Sequence, residues 1–311
     1  MGAMTAMIGV DWGTSSLRAY RLDHDGSVLE TARAAKGILQ VEPGGFATVL
    51  EEMIGGWRRP GMPVLLSGMI GSRQGWIEVP YADLPASLDD VASALVRHPD
   101  DPSLHFVPGL AFDPPDQAPD VMRGEETQIV GVIGGRSGRR LLVMPGTHSK
   151  WVLVEDGRIV WFATFMTGEL FAILKSHSIL ARLMTGDAHD QAAFAGGLDA
   201  ARERPGGLLQ RLFSVRTLGL FERLPAEGIA AYLSGLLIGG EIDEALGNLE
   251  PAAGENTITV IGAAPLAERY LHAIEHAGLA GDKAGDDAAA RGHYLIAGAA
   301  GLLPSPSGVG R

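Results

Sequence analysis

Met7-Ile8-Gly9-Val10-Asp11-Trp12-Gly13-Thr14-Ser15-Ser16, followed by short apolar runs on either side of Asp25-Gly26, decides how this chain is read. β-prone residues flank two turn signals, so the expected order is strand, Gly-Thr-Ser turn, strand, Asp-Gly hairpin turn, strand. The same order returns at Leu141-Leu142-Val143-Met144-Pro145-Gly146-Thr147-His148-Ser149, which leads through a second strand to Asp156-Gly157 and a third. Gly13-Thr14-Ser15-Ser16 thus corresponds to Gly146-Thr147-His148-Ser149, although the second copy is two residues shorter between its Thr and its Asp-Gly. A repeated supersecondary unit predicts two related lobes in a mixed α/β protein.

The length of 311 residues suits two domains, and the 46% hydrophobic and 20% charged residues suit an ordinary folded protein. Between the repeats, Pro108–Pro119 holds four prolines with little periodicity and is expected to be a linker, which gives lobes at 1–120 and 121–311. Helical patterns cover Gly45–Arg58, Ser87–Arg97, Gly124–Ile133, Glu169–Met184, Ala226–Leu246 and Pro265–Ala277. Gly281–Gly292 is read as loop and Pro304–Arg311 as a frayed tail. The small-residue stretch Tyr232–Gly240 reads first as tight helix packing and second as a nucleotide neighbour.

Several function classes fall away. A formal net charge of -12 without a basic run argues against nucleic acid as partner. The absence of cysteine excludes disulfides, thiolate metal sites and a Cys nucleophile. The longest apolar stretch, the 13 residues Gly228–Gly240 between Glu227 and Glu241, is too short for the ~20 residues of a membrane helix, so no membrane partner is expected. Met1–Met7 lacks the pattern of a signal peptide, and Met4 points to an added leading extension; the expected compartment is the cytoplasm. Neither a P-loop, a Gly-x-Gly-x-x-Gly turn after a strand, His-Glu-x-x-His nor Gly-x-Ser-x-Gly is present.

Each Gly-Thr turn follows an apolar strand with small residues, so backbone N–H groups and hydroxyls can converge on an anion. Two such turns suit a polyphosphate, which nominates Gly13, Thr14, Ser15, Gly146 and Thr147 as phosphate-binding residues. Asp11 ends the first strand immediately before that turn. A carboxylate aimed at phosphates calls for a cation, and Mg²⁺ is typically held by one or two carboxylates together with substrate phosphates.

Ile8–Ser16 resembles the first phosphate motif of the sugar kinase, hexokinase, actin and Hsp70 superfamily, and Met144–Ser149 resembles the second. Val260-Ile261-Gly262-Ala263-Ala264-Pro265 resembles the adenosine motif, which nominates Gly262 and Ala263. Leu66–Trp76, Met122–Gln128, Pro145–Trp151 and Thr164–Phe171 together resemble the 2-dehydro-3-deoxygalactonokinase family over nearly the whole chain. The resemblance implies two ribonuclease H-like, actin-like ATPase lobes with a nucleotide cleft between them. It further implies ATP-dependent phosphorylation of the 6-hydroxyl of 2-dehydro-3-deoxy-D-galactonate. His293–Leu303 resembles the final helix that connects the lobes in this superfamily. The second turn departs from several superfamily members by carrying Pro145 in place of an acid, which shifts metal handling toward Asp11.

The same resemblance assigns roles within the site. Arg123-Gly124-Glu125-Glu126-Thr127-Gln128 matches the segment that carries the general base in related sugar kinases, and the match puts Glu125 in that position. Glu126 remains the alternative, since adjacent helical residues diverge by about 100°. A keto-acid substrate brings a carboxylate, for which Arg73 offers a planar fork, with Ser72, Gln74 and Trp76 along the same segment. Lys150 follows the second turn and can neutralise phosphate charge. A nucleotide or polyphosphate phosphohydrolase on the same scaffold is the alternative activity, and a non-catalytic sugar sensor a third class. The oligomeric state is open, with a homodimer one candidate.

Overall fold

The computed structural model describes residues 5–186, 189–203, 206–249 and 257–303. The expected tail Pro304–Arg311 lies outside them, as do residues 1–4, where a leading extension is expected. The fold divides into two compact units. The first takes the chain up to Arg139, then Leu153–Trp161, then Gly285 onward; the second takes Arg140–Val152 and Phe162–Ala284.

In the first unit, β1 (Thr5–Trp12), β2 (Leu17–Asp23) and β3 (Val28–Ala34) form the expected meander, with antiparallel pairing that sets Asp11 opposite Arg18. Gly26 makes the second turn at φ 80°, a value that favours glycine. After α1 (Phe46–Ile54), β4 (Val64–Ser67) enters parallel to β1, with Asp11 beside Ser67. Next come β5 (Ala82–Asp83), α2 (Leu88–Ser93), β6 (Val96–Arg97), β7 (Leu104–Phe106), β8 (Leu110–Phe112), β9 (Asp120–Met122) and α3 (Glu125–Ile133). The main sheet has the order β3-β2-β1-β4-β7-β6. Trp12, Phe46 and Phe106 fill its core, with Trp76 packed against them.

The strands β5, β8 and β9 make a separate small sheet, which corrects the linker expectation for Pro108–Pro119. Leu110 pairs with Met122 and Phe112 with Asp120, so the prolines lie in and around a hairpin within the first unit.

The second unit repeats the plan. β10 (Arg139–Met144), β11 (Ser149–Glu155) and β12 (Arg158–Phe165) are followed by α4 (Thr167–His177), α5 (Gln191–Arg202), α6 (Leu208–Leu220), α7 (Ile229–Gly247), β13 (Ile258–Val260), α8 (Ala264–His276) and β14 (Gly281–Lys283). Its sheet has the order β12-β11-β10-β13-β14, the order in which β3, β2, β1, β4 and β7 stand in the first. The β11–β12 turn has positive φ at both Asp156 (47°) and Gly157 (79°), as a tight two-residue hairpin requires. This turn segment belongs with the first unit, where Ile159 bridges Ala86.

Several expectations need adjustment: the helix expected over Ser87–Arg97 ends at Ser93, and Val96–Arg97 is β6. The Glu169–Met184 pattern stops at α4, because Ser178 turns the chain: its Oγ donates to the Leu174 carbonyl at 2.6 Å and accepts from Leu180 N at 3.0 Å. Within Gly281–Gly292, read as loop, lie β14 and the start of α9 (Ala288–Ala299). α9 packs on α3 through glycines, since a Cβ at Gly131 or Gly292 would collide with the Ala288 or Thr127 carbonyl. For that reason both helices belong to the first unit, although the sequence reading places them in the second lobe. α7 is buried on every side from Ile229 to Gly239, and its Gly235 meets α5 at Phe194, so the close-packing reading of Tyr232–Gly240 holds. Among the described residues no helix is long and apolar enough to cross a membrane.

Candidate active site

In the first unit the C-terminal ends of β1 and β4 meet the N-terminus of α3. Gly68, directly after β4, adopts φ 91°, and a Cβ there would lie 2.8 Å from the Trp12 carbonyl and 3.4 Å from Asp11 Oδ1. Gly124, at φ 110°, would in turn press a Cβ to 3.0 Å from Gly68 Cα. Two glycines therefore let the backbone of β1, β4 and α3 stack without intervening side chains. This brings Asp11 and Glu125 into electrostatic range. Burial raises the Asp11 pKa to about 6, Arg18 opposes the rise, and the negative charge of Glu125 adds to it.

The first Gly-Thr turn is held from behind. Gly13 N donates to the Ser16 carbonyl at 2.9 Å, and Ile38 N donates to the Gly13 carbonyl at 3.0 Å. Buried Trp12 donates from Nε1 to the Lys36 carbonyl at 2.9 Å. Thr14 and Ser15 remain exposed.

The two glutamates at the start of α3 take opposite environments. Glu125 is half-buried, and its Oε2 accepts from Arg123 N at 2.9 Å. Glu126 is wholly buried; it accepts from Gly124 N at 2.6 Å and from Thr127 Oγ1 at 2.9 Å. Burial, with the neighbouring charge of Glu125, raises the Glu126 pKa to about 8, so it carries a proton at neutral pH. The folded state then holds a proton that the unfolded chain has released between the ordinary value of 4.5 and about 8, and stability falls as pH rises through that window. Urea unfolding at pH 5 and pH 8 should show this fall in the wild type and a smaller one in Glu126→Gln.

The segment Ser72–Trp76, expected at the acceptor, is placed less uniformly. Ser72 is half-buried and donates from Oγ to the Met69 carbonyl at 2.7 Å, while Gln74 is exposed. The Trp76 ring lies 4.9 Å from His98 and stacks on Phe46 at 6.3 Å, so it belongs largely to the core. The Arg73 side chain is 86% exposed and gives Nε and Nη2 to Glu78 Oε1 at 3.2 and 3.1 Å. An exposed pair of this kind contributes little.

In the second unit, β13 runs parallel to β10, and Ile261 N donates to the Val143 carbonyl at 2.9 Å. Gly262 therefore sits next to Pro145, and a Cβ on it would be 3.7 Å from Pro145 Cδ. The structure thus brings Gly262 and Ala263, at the head of α8, to the second turn at Gly146 and Thr147. The start of α4 supports that turn: Gly168 touches Gly146, Glu169 N donates to the Thr147 carbonyl at 2.9 Å, and His148 Nε2 lies 2.5 Å from Glu169 Oε2. Lys150 is buried, with Nζ 2.5 Å from Thr164 Oγ1. Below the turn, Glu241 accepts from Trp151 Nε1 at 2.8 Å and from the Tyr270 hydroxyl at 2.7 Å, and Ser149 Oγ lies 2.9 Å from that hydroxyl. Burial raises the Glu241 pKa, and these donors oppose the rise.

Sequence reasoning passed over two features of this region. One is the Glu241 network, whose residues are far apart in the chain. The other is Arg123, which lies inside the segment quoted for Glu125 but depends on the small sheet for its surroundings.

The chain matches the family model described as 2-keto-3-deoxy-galactonokinase over residues 11–296. It is 40% identical over 276 residues to a protein of Rhizobium meliloti (strain 1021) assigned as a 2-dehydro-3-deoxygalactonokinase, covering 87% of this chain and 89% of that one. It is 36% identical over 289 residues to the 2-dehydro-3-deoxygalactonokinase of Escherichia coli (strain K12), covering 90% and 95%. A crystal structure assigned to the same activity, from Sinorhizobium meliloti, superposes with a TM-score of 0.86 at 38% identity, covering 94% of this chain and 98% of that one. The activator of 2-hydroxyisocaproyl-CoA dehydratase from Clostridium difficile, with bound ADPNP, shares the fold at a TM-score of 0.50 and 12% identity, covering 94% and 95%.

Proposed function

The chain belongs to the 2-keto-3-deoxy-galactonokinase family, and from that premise we propose that it transfers the γ-phosphoryl group of ATP to the 6-hydroxyl of 2-dehydro-3-deoxy-D-galactonate. It is a kinase, a phosphotransferase with an alcohol acceptor. The observation that carries the residue-level reading is the approach of Asp11 and Glu125, whose charges act on one another at the meeting of β1, β4 and α3.

Phosphoryl transfer needs little covalent help from the protein; positioning and charge stabilisation supply most of the effect. Glu125 accepts the proton of the 6-hydroxyl as the new P–O bond forms. Its link to Arg123 N fixes the carboxylate, and its half-exposed position leaves it open to an acceptor. Glu126, protonated and enclosed, braces the α3 N-terminus. Thr14 and Ser15 donate to phosphate oxygens from the first turn, where Gly13 lets the phosphates approach the backbone closely, and Gly146 and Thr147 donate from the second. Gly262 and Ala263 receive the adenosine, and Lys150 adds positive charge beside the second turn. Ser72–Trp76 borders the acceptor.

Asp11 suits Mg²⁺ by its donor chemistry, a single carboxylate at a strand end beside an exposed phosphate turn. When bound, that ion neutralises phosphate charge. Burial holds the Asp11 pKa up at about 6 in the free protein, so kcat/KM, which reports ionisations of the free enzyme, should rise with pH through that value.

ADP formation from ATP and Mg²⁺ should be measured with a panel of 2-keto-3-deoxy sugar acids, including the gluconate epimer, and with neutral hexoses. Turnover that depends on the galactonate-derived acid is expected. Activity with neutral hexoses alone would overturn the substrate, and acceptor-independent phosphate release would favour a phosphohydrolase.

A further inference from the structure

We infer that Arg123 holds the carboxylate of the acceptor sugar acid, and so determines specificity for an acid over a neutral sugar. The inference rests on the acceptor proposed above and concerns a side chain that the sequence reading did not nominate.

The register of the small sheet assembles the surroundings of Arg123. Ala82 pairs with Leu110, which pairs with Met122, so Tyr81, Gly109 and Arg123 all fall at the same end. Gly109 leaves room for the Tyr81 ring, which a Cβ would meet at 2.7 Å. The Arg123 guanidinium lies over that ring, with Cζ 4.2 Å from its centroid. One nitrogen is anchored, as Nη2 donates to the Val79 carbonyl at 2.7 Å. On the loop after β4, Gly71 allows close approach: a Cβ there would be 3.2 Å from Nη1 and 3.3 Å from Val79.

The other two nitrogens, Nε and Nη1, are buried and have no hydrogen-bond acceptor among the described residues. Buried N–H groups on a permanent cation are costly to leave unpaired, and a carboxylate is the acceptor that a guanidinium binds most strongly. Arg73 differs in each respect, being exposed and already paired with Glu78.

Arg123 also lies at the right remove from the chemistry. Its own backbone N–H holds Glu125, so the guanidinium stands about one arginine side chain from the proposed base. A six-carbon 2-keto acid carries its carboxylate at the opposite end from the 6-hydroxyl, and its extended length is similar. One residue would thus fix both ends of the acceptor, the base through its backbone and the carboxylate through its side chain.

The test is steady-state kinetics of Arg123→Gln and Arg123→Lys, using 2-dehydro-3-deoxy-D-galactonate and its primary amide, with calorimetric binding of the acid to each protein. For Arg123→Gln the acid's KM and Kd should rise ~10- to 100-fold, as loss of a charged hydrogen bond implies. The KM for ATP should stay within about twofold, and the preference for acid over amide should collapse. Arg123→Lys should retain that preference with a smaller rise in KM, and it carries the test if the Gln variant does not fold. A lower kcat in the Arg123 variants, with the acid-over-amide preference and the acid's Kd unchanged, would overturn the inference and assign Arg123 to positioning Glu125 only. Wild-type protein that neither binds nor phosphorylates the acid would instead overturn the proposed substrate, and this inference with it.

Discussion

Glu125→Gln is expected to lower kcat by ~10²- to 10⁴-fold, the range lost with a positioned general base, while the protein stays folded and its KM for ATP changes little. Glutamine keeps the shape of the side chain, and its amide oxygen can still accept from Arg123 N, the bond that Glu125 makes at 2.9 Å. What it cannot do is take the proton of an alcohol. Melting temperature, kcat and both KM values, measured together, check the claim. Near wild-type turnover in a folded variant would remove Glu125 from the mechanism. Glu126→Gln is the internal control. Glu126 is enclosed and already protonated at neutral pH, so its replacement should alter the pH dependence of stability far more than turnover.

Asp11→Asn should produce an enzyme that is much less active and, at alkaline pH, more stable. Losing the carboxylate proposed to face the phosphates and their cation should lower kcat/KM by ~10²- to 10³-fold, by analogy with the removal of other preorganised electrostatic groups. The stability change follows from the raised pKa. The folded state binds a proton that the unfolded chain has released between 3.8 and about 6, so ionised Asp11 is a burden on the fold above that window. Asparagine removes the burden. Thermal unfolding should therefore favour the variant at pH 8, with the difference shrinking toward pH 4. A variant that is both inactive and less stable at pH 8 would make Asp11 a structural residue.

Much of this arrangement is legible in the sequence. The two meanders and their turns carry the strongest local signals, β-prone runs separated by Gly-Thr and Asp-Gly, and both appear as expected, each as three adjacent strands running in from one edge of its sheet. The strands of two or three residues in β5, β8 and β9 are too short for any periodicity, so Pro108–Pro119 looked like a linker when it belongs to a hairpin. The role of Arg123 was hidden by the same shortness, because Tyr81 and Gly109 reach it only through strand register. Sequence could say that Glu125 and Glu126 point apart, but not which one faces inward. The contacts of Glu126 with Gly124 N and Thr127 Oγ1 resolve that orientation. Lys150, expected near phosphate, is buried against Thr164, a pairing between strands that local pattern does not encode.

The central claim is phosphoryl transfer to a sugar-acid hydroxyl, and phosphorus NMR of the complete reaction tests it most directly. With ATP, Mg²⁺ and 2-dehydro-3-deoxy-D-galactonate, a new phosphomonoester signal should grow as ATP is consumed, split into a triplet by the protons of the phosphorylated C6 methylene group. Growth of inorganic phosphate alone, at the same rate with or without the acid, would contradict it.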